Sequence, residues 1–155
     1  TFLRNRAWPL MQGAADFCLD WLVDDGTGVL VTAPAVSPEL RFATPHGASA
    51  AVSAATTMDI ALIRDLFTNC LEAAQVLGIE NEWVDAVRPA LTKLPPYRVG
   101  KRGQLQEWSH DVIEVEPHHR HLSHLFGLHP GRQIAPGQTP ALIGAVHRTL
   151  GSPNQ

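Results

Sequence analysis

The densest chemistry in this chain lies in two stretches, Gly103-Gln104-Leu105-Gln106-Glu107-Trp108 and His119-Arg120-His121-Leu122-Ser123-His124-Leu125. They bring together two carboxamides, a carboxylate, an indole, a guanidinium and three imidazoles. Planar donors and acceptors suit sugar hydroxyls, and an aromatic face suits the apolar side of a sugar ring. A carbohydrate site, or part of one, is therefore expected here. Gln106 and Glu107 offer an amide and a carboxylate for hydroxyls, and Trp108 an indole for stacking; the same residues also read as an amphipathic turn whose Trp covers the core. His121 and His124 stand three apart with His119 nearby, which raises a metal site. Zinc, however, wants three or four convergent ligands, and neither an HExxH pattern nor a Cys partner is present. Hydrogen bonding of Arg120 and His121 to a sugar is preferred, with His124 orienting its neighbours. A further carboxyl lies in Ser37-Pro38-Glu39. A glutamic acid on a rigid turn, flanked by apolar Val36 and Leu40, suits a general acid of raised pKa; the alternative is a loop glutamate in solvent.

The elements that must position these groups read as helices joined by long connections. Pro9 suits a first helical turn, and Leu10, Ala14, Phe17, Cys18, Trp21 and Leu22 form an apolar stripe after it. Asp24-Asp25-Gly26-Thr27-Gly28 ends that helix in a turn, and Val29-Leu30-Val31-Thr32 is a short extended piece. Residues 33 to 56 carry Pro34, Pro38, Pro45 and Gly47 among small residues, and read as a long ordered loop of the kind that often carries function. The best helix runs from about Thr57 to Leu77, with Thr56 as N-cap and Gly78 as its stop; Ile63, Leu66, Phe67, Cys70, Leu71, Ala74 and Leu77 face the core. A third helix spans about Asn81 to Leu94 with Pro89 inside it. The Gln104 to Leu128 region reads as a loop followed by a short helix, and Thr139-Pro140 opens a last helix ending near Leu150.

Composition bounds the function. The 155 residues suffice for one domain with a real core, and 45% hydrophobic content marks a globular chain. A net charge of -3 without a Lys/Arg cluster gives no field for nucleic acid. No apolar run approaches a membrane span, and no leader is visible, since Thr1-Phe2-Leu3-Arg4 leads straight into a helical pattern. Cys18 and Cys70 lie on apolar helix faces and read as buried free thiols; they leave the compartment open between secreted, periplasmic and cytoplasmic. Neither a phosphate-binding loop nor a dinucleotide glycine pattern appears.

Five segments in this order, Val31-Thr32-Ala33-Pro34-Ala35-Val36-Ser37-Pro38-Glu39, Thr57-Met58-Asp59 with Arg64-Asp65-Leu66-Phe67, Gly103 to Trp108, His119 to Leu128, and Pro130-Gly131, resemble glycoside hydrolase family 95. That family holds α-L-fucosidases, mostly acting on 1,2-linked fucose, and some α-L-galactosidases. The resemblance implies an all-α fold, residues 1–150 forming a portion of an (α/α)6 barrel with a long Pro/Gly-rich active-site loop, and residues 151–155 a tail outside the family pattern. It implies inverting hydrolysis of a fucosylated oligosaccharide or glycan, with no cofactor and no metal. Glu39 maps to the general acid. Arg120, His121 and His119 map to the sugar-contacting motif, while Gln106, Glu107 and Trp108 shape or support the pocket. Leu40 stands where the family usually has Asn. The family's Asn-x-Asn segment and its catalytic aspartate fall outside the matching stretch, and about five of twelve barrel helices are counted. The chain therefore reads as a middle slice of a larger enzyme, inactive alone and apt to self-associate through exposed helix faces. Two other readings stand beside it: a non-catalytic carbohydrate-binding or vestigial fragment, and a small metalloprotein using His119, His121 and His124.

Overall fold

Three helices form the body of the structure, a computed structural model that describes residues 1–116 and 119–151. A π-helical turn, Leu3–Ala7, in which Trp8 N–H donates to Leu3 O, runs without a break into α1, Trp8–Trp21, which carries Pro9 in its first turn. The long helix α2, Thr57–Leu77, stops at Gly78, whose φ of 66° lets its N–H reach back to Ala74 and Gln75. Helix α3, Glu82–Thr92, is capped by Asn81, whose side chain accepts from Val84 N at 3.1 Å, and it carries Pro89 inside. Helix α4, Pro140–Leu150, lies at the other end of the chain.

Helix α2 is the centre of the packing. It contacts α1, α3 and a 3₁₀ turn at Ser123–Gly127. Its Ile63, Phe67 and Cys70 meet Ala15, Cys18 and Leu22 on one side and Val87, Ala90 and Leu94 on the other. Leu66 and Leu71 pack against the same cluster, as the helical spacing of these residues requires. At the far end of α2, Ala73 and Ala74 pack with Trp8 and Val84, and Trp8 meets Trp83 edge-on at 5.3 Å. A separate core of Leu105, Leu125, Ile134, Ala145 and Val146 seats α4 under the segment that follows Gly103.

The stripe expected on α1 is rotated. Met11, Ala15, Cys18 and Leu22 turn inward, while Leu10 and Phe17 are 76% and 64% exposed. The helix is apolar on two faces, so periodicity alone does not select the buried one. Cys18 and Cys70 are buried free thiols, and burial pushes Cys70 up to about 11.

The chain is helical in its body but not all-α. Among the described residues, seven short strands form three small antiparallel sheets. Strands β1, Leu22–Asp24, and β2, Leu30–Thr32, make a hairpin with Leu22 opposite Thr32. Strand β3, Ala35–Val36, pairs with β6, Val52–Ser53. Strand β4, Phe42–Ala43, lies between β5, Ser49–Ala50, and β7, Ile113–Glu114. Residues 33 to 56, expected as an ordered loop, are mostly turn and irregular chain, tied by four two-residue strands. Pieces that short, built largely of Ala and Ser, carry no alternating pattern to read. Within the tail expected at 151–155, residues 152–155 lie outside the described residues. No helix among the described residues is long and apolar enough to cross a membrane.

Candidate active site

Glu39 sits on a turn between β3 and β4 in which Leu40 N–H donates to Ser37 O at 3.1 Å. Pro38 holds the second position of that turn, where its fixed φ is suited, and Glu39 the third, with φ of 60°. Glycine or asparagine usually fills such a position. A side chain there costs about 1–2 kcal/mol, so the surrounding contacts must hold the backbone in place. Leu40 turns into the interior, while Val36 is exposed.

The Glu39 carboxylate meets the His-rich segment across the chain. Oε2 accepts from Arg120 Nη2, lies 3.1 Å from His121 Nε2 and 3.7 Å from His119 Nε2. His119 Nδ1 accepts the backbone N–H of His121 at 3.1 Å, so the ring proton of neutral His119 belongs on Nε2, the nitrogen facing Glu39. The two imidazoles stack with centroids 5.0 Å apart. Glu39 is 54% exposed and Arg120 71%. An ion pair that open contributes only about 0–1 kcal/mol to stability. The cluster therefore serves the placement of a reachable carboxyl among hydrogen-bond donors rather than the holding of the fold.

A buried polar layer couples the same two segments. Glu107 is 4% exposed; Ser37 Oγ donates to its Oε1, and His124 Nδ1 lies 3.0 Å from its Oε2, a close contact outside the alignment of a good hydrogen bond. The main chain of this segment docks on the first turn of α2. Thr57 N donates to Glu107 O at 3.0 Å, and Thr57 Oγ1 to Gln106 O at 2.6 Å. Thr56 takes the N-cap position expected from sequence, but its side chain bonds none of the first helix amides; its hydroxyl lies 3.4 Å from Val36 O. Trp108 is buried against Phe42, with ring centroids 4.8 Å apart. Gln104 Oε1, Gln106 Oε1 and Trp108 Nε1 are enclosed without a hydrogen-bond partner among the described residues. Glu114 lies near this layer, and its carboxyl is pushed up chiefly by burial, with Arg102 opposing and Glu107 adding to the rise.

The structure thus brings Glu39, His119, Arg120 and His121 to one place and sets Gln106, Glu107 and Trp108 in the interior. Sequence reasoning missed Ser37 as the partner of Glu107; a serine directly before the proline of a turn was the available signal. His124, expected to orient its neighbours, faces a carboxylate. Among the described residues no group of three or more His, Cys, Asp or Glu is placed to hold a metal ion. A cavity of about 460 Å³, lined by Thr57, Arg64, Tyr97 and Trp108 among others, is not lined by Glu39, His119, Arg120 or His121.

Comparison with known proteins gives this geometry its setting. The glycosyl hydrolase family 95 catalytic domain matches residues 1–153. Alpha-L-fucosidase 2 of Arabidopsis thaliana is 44% identical over 150 residues, which is 96% of this chain and 18% of that protein. A probable alpha-fucosidase A of Aspergillus niger is 33% identical over 155 residues, covering 95% of this chain and 19% of its own length. The chain spans less than a fifth of either relative. A match over nearly every residue places this chain in the catalytic domain of glycosyl hydrolase family 95.

Proposed function

We propose that this chain supplies the acid half of an α-L-fucosidase active site, one that removes terminal 1,2-linked α-L-fucosyl residues from glycans with inversion, and that its helices are part of an (α/α)6 barrel. The observation that carries the reading is the half-exposed Glu39 carboxyl, held on a left-handed backbone position and ringed by Arg120, His121 and His119.

In this reading the glycan seats its fucose against Arg120, His121 and His119, whose donors turn from Glu39 Oε2 to ring hydroxyls as Glu39 takes up a proton. Protonated Glu39 gives its proton to the glycosidic oxygen as the bond to the anomeric carbon breaks. Water attacks the opposite face, and a second carboxylate takes its proton. Inverting enzymes hold the two carboxyl groups roughly 6.5–9.5 Å apart to admit that water. The second carboxylate belongs to a part of the enzyme outside these residues, so the chain alone turns over little or nothing. Gln106, Glu107 and Trp108 support the pocket from the interior.

Proton NMR of the chain with 2′-fucosyllactose is expected to show no free fucose. Early β-fucose from the chain alone would overturn its incompleteness while supporting the inverting chemistry; early α-fucose would overturn the inversion. In the longer enzyme, Glu39→Gln is expected to lower kcat by roughly 10²–10⁴ with KM little changed. The loss should shrink on an aryl fucoside whose leaving group departs without a proton. Turnover near the parent level on both substrates would sink the acid role.

A further inference from the structure

We infer that Glu107 is a positioning residue: its buried carboxylate ties the Ser37-Pro38-Glu39 turn to the His-rich segment and so fixes where the Glu39 carboxyl sits. The inference rests on the placement of Glu39 proposed above. Glu107 itself is enclosed and reaches no open surface, so it acts through others. One oxygen accepts from Ser37 Oγ, two residues before Glu39; the other faces His124, three residues after His121. Ser37 and His124 are themselves buried. Its backbone carbonyl is anchored separately, by Thr57 N at the start of α2. One residue thereby joins the acid-bearing turn, the sugar-facing segment and the most firmly packed helix.

The energetic case follows from burial. A carboxylate taken out of water is tolerated only when its oxygens are met by donors or cations. Ser37 donates to one oxygen and His124 Nδ1 lies 3.0 Å from the other; Ser37 stands outside any helix or strand, and His124 is carried by the 3₁₀ turn Ser123–Gly127. The Ser-Pro-Glu turn needs an external constraint, because Glu39 occupies backbone space that a side chain disfavours. The two requirements meet at the hydroxyl of Ser37. Glu39 and Arg120 are too exposed for their own ion pair to supply that constraint.

The test is a double-variant cycle in the 155-residue chain, read by the imidazole ¹H and ¹⁵N resonances of His121. Glu39→Gln should displace those resonances, because the carboxylate lies 3.1 Å away. In a Ser37→Ala background that displacement should fall by about twofold or more, as coupled sites require. The Trp83 indole, far along the chain from the site, monitors folding in every variant. Glu107→Met, which removes both acceptor oxygens at similar volume, should reproduce the loss of coupling if Ser37→Ala proves poorly folded. A displacement of undiminished size in both backgrounds would overturn the positioning role while leaving the Glu39 reading intact. No displacement on Glu39→Gln in the parent chain would instead overturn the placement of Glu39, and with it both readings.

Discussion

The helical body and the site-bearing loops are held by different means. Around α2 the contacts are apolar, continuous and spaced by the helical period; Phe67 and Cys70 are fully enclosed. Around Glu39 the chain has two-residue strands, a strained turn and a buried carboxylate with two polar partners. Apolar packing is non-directional and tolerates small shifts, whereas a carboxylate shared between two segments fixes their relative position. The body supplies stability, and the polar layer supplies register.

The strongest test of that contrast is Phe67→Ala. Deleting a fully buried ring should cost about 3–5 kcal/mol, enough to abolish cooperative urea unfolding of a marginal chain. A loss below about 1 kcal/mol would mean that α2 is not the centre of stability.

Gly127→Ala sharpens the boundary between the regions. A Cβ at residue 127 would stand 1.9 Å from the Tyr97 hydroxyl, which donates to Gln133 Oε1 at 2.7 Å. Overpacking of this kind costs about 1–3 kcal/mol. Tyr97→Phe in the same chain should recover part of the loss in a thermal melt. Absence of any recovery would place the strain elsewhere.

Asp59 probes the body by pH. Burial pushes its carboxyl above the usual 3.8, against the opposing hydrogen bonds of Thr56 and Thr32. The folded state therefore binds this proton more tightly than the unfolded chain. The contribution of Asp59 to stability is most favourable below pH 3.8 and falls as pH rises through its raised folded value. Asp59→Asn should flatten that part of the stability profile; an unchanged slope would remove Asp59 from the account.

The smallest effect is expected at the site itself. Glu39→Gln should change unfolding free energy by less than about 1 kcal/mol, since the ion pair it breaks is open to solvent. A larger loss would show that the charge cluster shares in holding the fold.

Legibility follows the same division. Helices α2, α3 and α4 were readable because their apolar residues recur at helical spacing and Gly78, Asn81 and Pro140 mark their ends. The face of α1 was not, because Leu10 and Phe17 compete with Met11 and Ala15 on equal chemistry. The paired strands within 33–56 were invisible, since their partners are set by tertiary contact. At the site, motif and chemistry single out Glu39, Arg120 and His121, which the structure brings together. The enclosure of Trp108 and the link from Ser37 to Glu107 were not, because burial and long-range pairing leave no mark in local spacing.

The docking of residues 106 and 107 on α2 gives the molecule a built-in clock. The first amides of a helix have no acceptor within the helix and ordinarily exchange with deuterium quickly. The Thr57 amide has one only because Glu107 O lies 3.0 Å away. Its exchange rate therefore counts how often the segment carrying Glu107 lifts from the helix, while amides deep in α2 count rarer openings of the body.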